Sequence, residues 1–179
     1  MFKKLTAQDI TRVSLFTALI CIASYIKIDL PAVPITMQTL AVMLAGCILN
    51  TRQAALSLLV YLLLGSIGAP VFSGGSAGLG ILLGKYGGYL FGFLIGVVII
   101  SLLKGKKNNL WQLLLANFAG GILVVHLFGS LWYSLMTGMN LAQAFVVCSL
   151  VFIPGDLIKA VIAALLAQRV NKYLSHNHI

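Results

Sequence analysis

Long apolar runs, interrupted by short polar or glycine- and proline-rich stretches, organise this chain. They fall into six segments, at roughly 9 to 28, 36 to 49, 53 to 68, 83 to 103, 111 to 136 and 141 to 173. A helix needs about 20 apolar residues to cross a hydrocarbon layer of about 30 Å, and most of these runs approach that length. The second and third are short and separated only by Asn50, Thr51 and Arg52, which predicts a tilted or partly inserted hairpin. The sixth is long and carries Pro154 and Gly155, a residue without an N–H followed by a permissive one, so a kink or restart is expected there. The apolar run from Leu15 to Ile26 follows several polar residues and precedes no small-residue cleavage site, so it reads as a membrane segment rather than a signal peptide. No repeat of 20 to 50 residues stands out, which argues against an inverted-repeat architecture. The expectation is an all-α integral membrane protein with six transmembrane helices, forming a single membrane domain over residues 1 to 179.

Composition sharpens that reading. Residues of the AVILMFWYC set make up 60% of the chain, charged residues only 8%, and mean hydropathy is +1.05. A soluble domain is about half apolar and a quarter charged, so a soluble enzyme is excluded. A formal charge of +9 would suggest nucleic acid in a soluble protein. Here the cations sit singly or in threes between apolar runs, which makes them orientation signals, and no nucleic-acid partner is expected. If both termini lie inside, the inner segments carry Lys3, Lys4, Arg12, Arg52, Lys104, Lys106, Lys107, Arg169 and Lys172, and the outer loops only Lys27 and Lys85. That asymmetry predicts cytoplasmic N- and C-termini. Cys21, Cys47 and Cys148 lie far apart in apolar surroundings, without a CxxC or a nearby histidine pair, and read as inert buried thiols. Neither a metal nor a cofactor is expected.

With so few charges, location carries more information than motif. Asp156 and Lys159 lie inside the sixth segment, where an isolated ionisable group is expensive and usually pairs or lines a cavity. Their i, i+3 spacing puts both on one helix face, and the expectation is that they present an acceptor and a donor to a ligand rather than to each other. A pair that only fixes packing is the alternative. The outer stretch from Lys27 to Thr39 contains Pro31 and Pro34 and reads as a stiff lid with Thr36, Gln38 and Thr39 beneath it; Thr36 could equally cap the second helix. The stretch from Gly65 to Gly80 is rich in glycine and serine and can offer N–H and hydroxyl groups to an anion, or simply turn the chain. No GxxxxGK[ST] occurs, so ATP is not bound in the P-loop manner. Gly84, Gly88, Gly92 and Gly96 form a stripe for close helix packing, with Tyr89 beside it. Ser14 and Ala18 make a small-residue pair on the first segment that suits a partner protein or a neighbouring helix. Asn117 and His126 read as satisfied interhelical hydrogen bonds. Asp29 and Asp156 lack the YD and GxGD contexts of intramembrane aspartyl proteases, and no covalent chemistry is expected.

Four stretches in order carry a resemblance: Leu30 to Leu40, Tyr61 to Phe72, Gly87-Gly88-Tyr89-Leu90, and Pro154-Gly155-Asp156-Leu157-Ile158-Lys159-Ala160. Together they resemble the biotin-specific substrate-binding (S) component of energy-coupling factor (ECF) transporters. The resemblance implies biotin capture from outside and assembly with a transmembrane coupling protein (T component) and two ABC ATPases in the bacterial cell membrane. It places substrate-binding roles on Asp156, Lys159, Tyr89, Gln38, Thr36, Gly75 and Ser76, with Phe72 against the ligand's apolar part, and a partner interface on Ser14 and Ala18. Pro34 and Gly74 fall in the matching lid and glycine-serine loop. Lys85-Tyr86 replaces the family's Pro-Thr, and Ser14-xxx-Ala18 replaces its Ala-xxx-Ala. A cyclic urea offers N–H donors to Asp156 and a carbonyl to Lys159; the opposite assignment, Lys159 on the carboxylate, stays open. An S component for another vitamin, riboflavin or thiamine, is the nearest alternative.

Overall fold

A computed structural model describes residues 4–29, 33–105 and 108–176. Lys3, Leu30, Pro31, Ala32, Lys106 and Lys107, which figured in the charge and lid expectations, lie outside the described residues. Helix α1 (Ala7–Tyr25) starts at a reciprocal capping box, with Thr6 Oγ1 accepting from Asp9 N at 3.1 Å and Asp9 Oδ2 accepting from Thr6 N at 2.9 Å. The chain then forms a two-stranded antiparallel hairpin, β1 (Lys27–Ile28) against β2 (Ile35–Thr36), with Lys27 opposite Thr36. Helix α2 (Gln38–Ile48) follows at once, and Asn50 with Gln53 forms a second capping box at the start of α3 (Thr51–Ser66). The glycine-serine stretch holds a 3-10 turn (Ser73–Gly75) and the single-turn helix α4 (Leu79–Leu82). Helices α5 (Gly87–Leu103), α6 (Leu110–Thr137), α7 (Leu141–Leu150) and α8 (Ile153–His176) complete the chain.

The hydropathy pattern gave six segments, and eight helices are present among the described residues. Two differences account for this. The loop after α3 winds one short helix of its own. The sixth segment is broken into α7 and α8, bent by 50°. Pro154 has no N–H for the carbonyl of Leu150, so the helical ladder cannot run through. The break falls at Val151 and Phe152, upstream of the proline, where Phe152 N bonds Ser149 O and Asp156 N restarts the ladder on Phe152 O. Among the described residues, helix α6 alone is long and apolar enough to span a bilayer, with the bent α7–α8 pair passing the same criterion as a unit. Helices α2 and α5 are apolar but shorter than the segments that predicted them, because Thr36 is spent on the hairpin and residues 83 to 86 on a turn.

Two apolar clusters hold the bundle. One joins α1, α2, α3 and α5 through Phe16, Ile20, Val42, Leu58, Tyr61, Phe93 and Val97. The other joins α2, α6 and α8 through Met43, Cys47, Leu113, Ile122, Ala163, Ala164 and Ala167. The outward faces are as apolar as the inside: Leu15, Ile22, Leu63, Leu115, Leu135 and Ile158 are all exposed. A surface of that kind needs a hydrocarbon solvent.

The glycine stripe does what its spacing predicts. A Cβ on Gly88 would lie 2.2 Å from Trp132 Cβ, one on Gly92 3.1 Å from Val125 Cα, and one on Gly96 2.4 Å from Gly120 O, so α5 and α6 meet almost backbone to backbone. Within α6, Asn117 to Val124 is wound as π-helix, and Val146 to Leu150 of α7 likewise. Asn117 is satisfied as expected, accepting from Cys47 Sγ at 3.1 Å and donating to Ala160 O at 3.1 Å.

The cations separate by end. Gln53 Nε2 bonds Asp9 Oδ1, Lys104 Nζ bonds Leu49 O, and Asn171 Nδ2 bonds Cys47 O, which gathers the start of α1 with the ends of α2, α5 and α8. Arg12, Arg52, Lys104, Arg169 and Lys172 belong to this end. The opposite end has the hairpin, the glycine-serine loop, Lys27 and Lys85.

Candidate functional site

A cavity of about 340 Å³ opens at the hairpin end, between α2, α5, α6 and α8. That is within the usual range for a small-ligand site, about 300 to 1,000 Å³. Its floor is polar and buried. Asp156 Oδ1 receives Lys159 Nζ at 2.8 Å and Thr39 Oγ1 at 2.8 Å, while Oδ2 meets His126 Nε2 at 2.9 Å. Lys159 Nζ also donates to Thr36 O at 2.8 Å and to Thr39 Oγ1 at 3.0 Å. Asp156 and Lys159 are 2% and 8% exposed, so the pair is desolvated.

This corrects one expectation. The acid and the amine were expected to face a ligand ring rather than each other, and they are in direct contact. The reason is electrostatic: two opposite charges at i, i+3 out of water attract strongly, and each alone would be costly. The hollow lies beside the pair, and both side chains line it.

The walls are largely aromatic and aliphatic. Phe72 is buried against Gly65, where a Cβ would fall 2.1 Å from its ring, and meets Tyr61 edge-on with centroids 5.5 Å apart. Tyr86, Tyr89, Leu90, Phe93 and Phe152 continue the wall. Tyr89 presents its ring, but its hydroxyl donates to Cys148 O, a carbonyl in the π-wound part of α7, and lies 3.3 Å from Ser149 Oγ. Gln38 lines the cavity while its Nε2 bonds Tyr61 Oη and its Oε1 accepts from Thr36 Oγ1 at 3.1 Å. Thr36 lines the cavity and its hydroxyl accepts from Gln38 N at 3.3 Å, but the N-cap position of α2 is Met37, so Thr36 does not cap that helix.

At the mouth, Lys27, Asp29, Pro34, Ser73 and Ser76 surround the opening. Lys27 Nζ is 2.8 Å from Asp29 Oδ1, with both side chains partly in solvent. Ser76 Oγ donates to Ser73 O at 2.9 Å. Gly75 is the one predicted site residue that does not line the cavity. With φ of +80° it turns toward Tyr25, whose ring a Cβ there would approach to 3.2 Å. Ser14 and Ala18 are exposed on α1.

His126 is the residue that sequence reasoning missed. It was expected to be a fully satisfied interhelical bond. Its Nε2 bonds Asp156, but Nδ1 is buried with no partner, and the ring lines the cavity between Phe152, stacked at 6.2 Å, and Tyr89, edge-on at 6.2 Å. Since a carboxylate only accepts, Nε2 is the donor in this bond. The available signal was a histidine inside an apolar span of a chain with one other acid–base pair at membrane depth.

Among known proteins, the profile described as BioY family matches residues 1–176. The "Probable biotin transporter BioY" of Pyrococcus horikoshii is 37% identical over 164 residues, covering 92% of this chain and 96% of that one. The "Biotin transporter BioY" of Rhizobium etli is 38% identical over 177 residues, covering 93% and 94%. The crystal structure of the S-component for biotin from an ECF-type ABC transporter superposes with a TM-score of 0.86 at 29% identity, covering 94% of this chain and 95% of that one.

Proposed function

The chain belongs to the BioY family, and from that premise we propose that it is the biotin-binding subunit of an ECF-type vitamin importer, a binding protein and not an enzyme. The observation that carries this is the hollow beside a buried, internally neutral Asp156–Lys159 pair. A neutral cyclic urea suits such a floor: its N–H groups go to the carboxylate, its carbonyl takes one ammonium N–H from the neutral acceptors Thr36 O and Thr39 Oγ1 and leaves the Asp156 ion pair intact, and each charge-assisted bond is worth about 1.5 to 3 kcal/mol. Phe72, Tyr89, Leu90 and Phe93 take the fused ring and acyl chain, and Thr36, Gln38 and Ser76 complete the polar contacts. Gly75 supports the turn rather than touching ligand.

The setting is the bacterial cell membrane, crossed by one domain spanning residues 1 to 179, with six spans counted as α1, α2, α3, α5, α6 and the bent α7–α8 pair. Both termini are cytoplasmic in this reading, since Arg12, Arg52, Lys104, Arg169 and Lys172 share one end. Ser14 and Ala18, exposed on α1 beside Leu15 and Ile22, form the face for the transmembrane coupling protein, and two ABC ATPases drive the cycle. Titration calorimetry in mild detergent tests the ligand: biotin binds, and neither riboflavin nor thiamine competes. Displacement of biotin by either vitamin at comparable concentration would overturn the assignment.

A further inference from the structure

Lys159 has no N–H to spare. All three are engaged, by Asp156, Thr36 O and Thr39, and its charge is matched by Asp156. A ligand carboxylate arriving there would have to break a buried ion pair, which leaves one charge uncompensated in low dielectric. The mouth is different. Lys27 lines the same cavity, is bound among the described residues only to the exposed Asp29 carboxylate, and retains donors. Exposed pairs of that kind exchange partners at little cost.

Two further observations place an anion there. Ser73 lines the cavity, and its Oγ is buried without a hydrogen-bond partner. A buried hydroxyl is normally satisfied, so an unused donor in the wall of a cavity that a lysine also lines points to a missing acceptor. Gly74, next to it, has φ of +66°, and a Cβ there would fall 2.6 Å from Lys27 Nζ and 2.5 Å from Cε. The ammonium thus rests in a seat that only glycine leaves open, one residue along the chain from Ser73. We infer that Lys27 and Ser73, seated on Gly74, form the subsite for the carboxylate end of the ligand's acyl chain, with the ring at the Asp156 end. This rests on the biotin-binding reading and removes its open alternative, Lys159 on the carboxylate.

Calorimetry with biotin and with biotin methyl ester tests the subsite. The wild-type chain binds the acid at least about tenfold more tightly than the ester. In Lys27→Met that ratio collapses to near one, through loss of acid affinity with ester affinity kept. Gly74→Ala, which displaces the lysine without removing it, lowers the ratio as well. A wild-type chain that binds acid and ester alike, or a Lys27→Met chain that keeps the full preference, would overturn the subsite while leaving biotin binding intact. A wild-type chain that binds neither compound would sink the functional reading and this subsite with it.

Discussion

The cavity has an acid and a lysine 2.8 Å apart at its floor and another such pair, also 2.8 Å apart, at its mouth. Distance does not distinguish them; surroundings do. Asp156 and Lys159 sit i, i+3 on a helix, walled by Phe152, Val125 and Tyr89, with their other hydrogen bonds going to Thr39, Thr36 O and His126. Lys27 and Asp29 sit on a hairpin strand and its edge, in water. The first pair is fixed and its field unscreened; the second is loose and screened by salt. The same two residue types therefore serve as a template in one place and as an exchangeable contact in the other.

The largest effects are expected at the floor. Asp156→Asn strands an ammonium out of water, which costs the fold about 3 to 5 kcal/mol and biotin affinity at least about tenfold. The double change Asp156→Leu with Lys159→Met removes both charges, so thermal unfolding in detergent returns toward the wild-type value while calorimetry finds biotin binding lost. Normal biotin affinity in the double variant would make the floor a packing device only.

His126 comes next. His126→Leu frees Asp156 Oδ2 to swing and lowers biotin affinity about tenfold, whereas His126→Gln, whose amide can still donate to that oxygen, keeps most of it. Equal losses in the two variants would show that ring packing against Phe152, not the hydrogen bond, is what matters. The smallest effects belong to the mouth. Raising ionic strength across the range where the Debye length falls from about 10 to about 3 Å weakens biotin binding a few-fold and leaves the methyl ester unchanged. Asp29→Asn, by releasing Lys27, raises biotin affinity by less than about threefold. A salt response of the ester as large as that of the acid would erase the contrast between the two pairs.

Much of this was legible beforehand. Hydropathy located every long helix, because apolar length is a local property. Asp156, Lys159, Gln38, Thr36, Tyr89, Phe72 and Ser76 were singled out and converge on one cavity. What could not be read depends on contacts far apart in sequence. That Asp156 and His126 meet is set by how α6 crosses α8, over a separation of 30 residues. Gly75 lies off the cavity lining because a positive φ in the 3-10 turn sets it against Tyr25. The π-wound stretches in α6 and α7 leave no mark in an apolar run, yet one of them supplies the Cys148 carbonyl that holds Tyr89.

The glycine seam between α5 and α6 has a mechanical consequence. Two helices touching through Gly96 and Gly120, with Trp132 clasped over Gly88 and bonded to Gly84 O, leave little room between them for side chains to re-sort. Sliding by a turn would drive the indole into a backbone, so the two travel as one plank. Tyr89 and His126 ride on that plank. Asp156 and Lys159 ride on α8, beyond the 50° elbow. Flexing at the elbow would part the two halves of the binding surface cleanly, letting go of a cargo without loosening the wall it rested on.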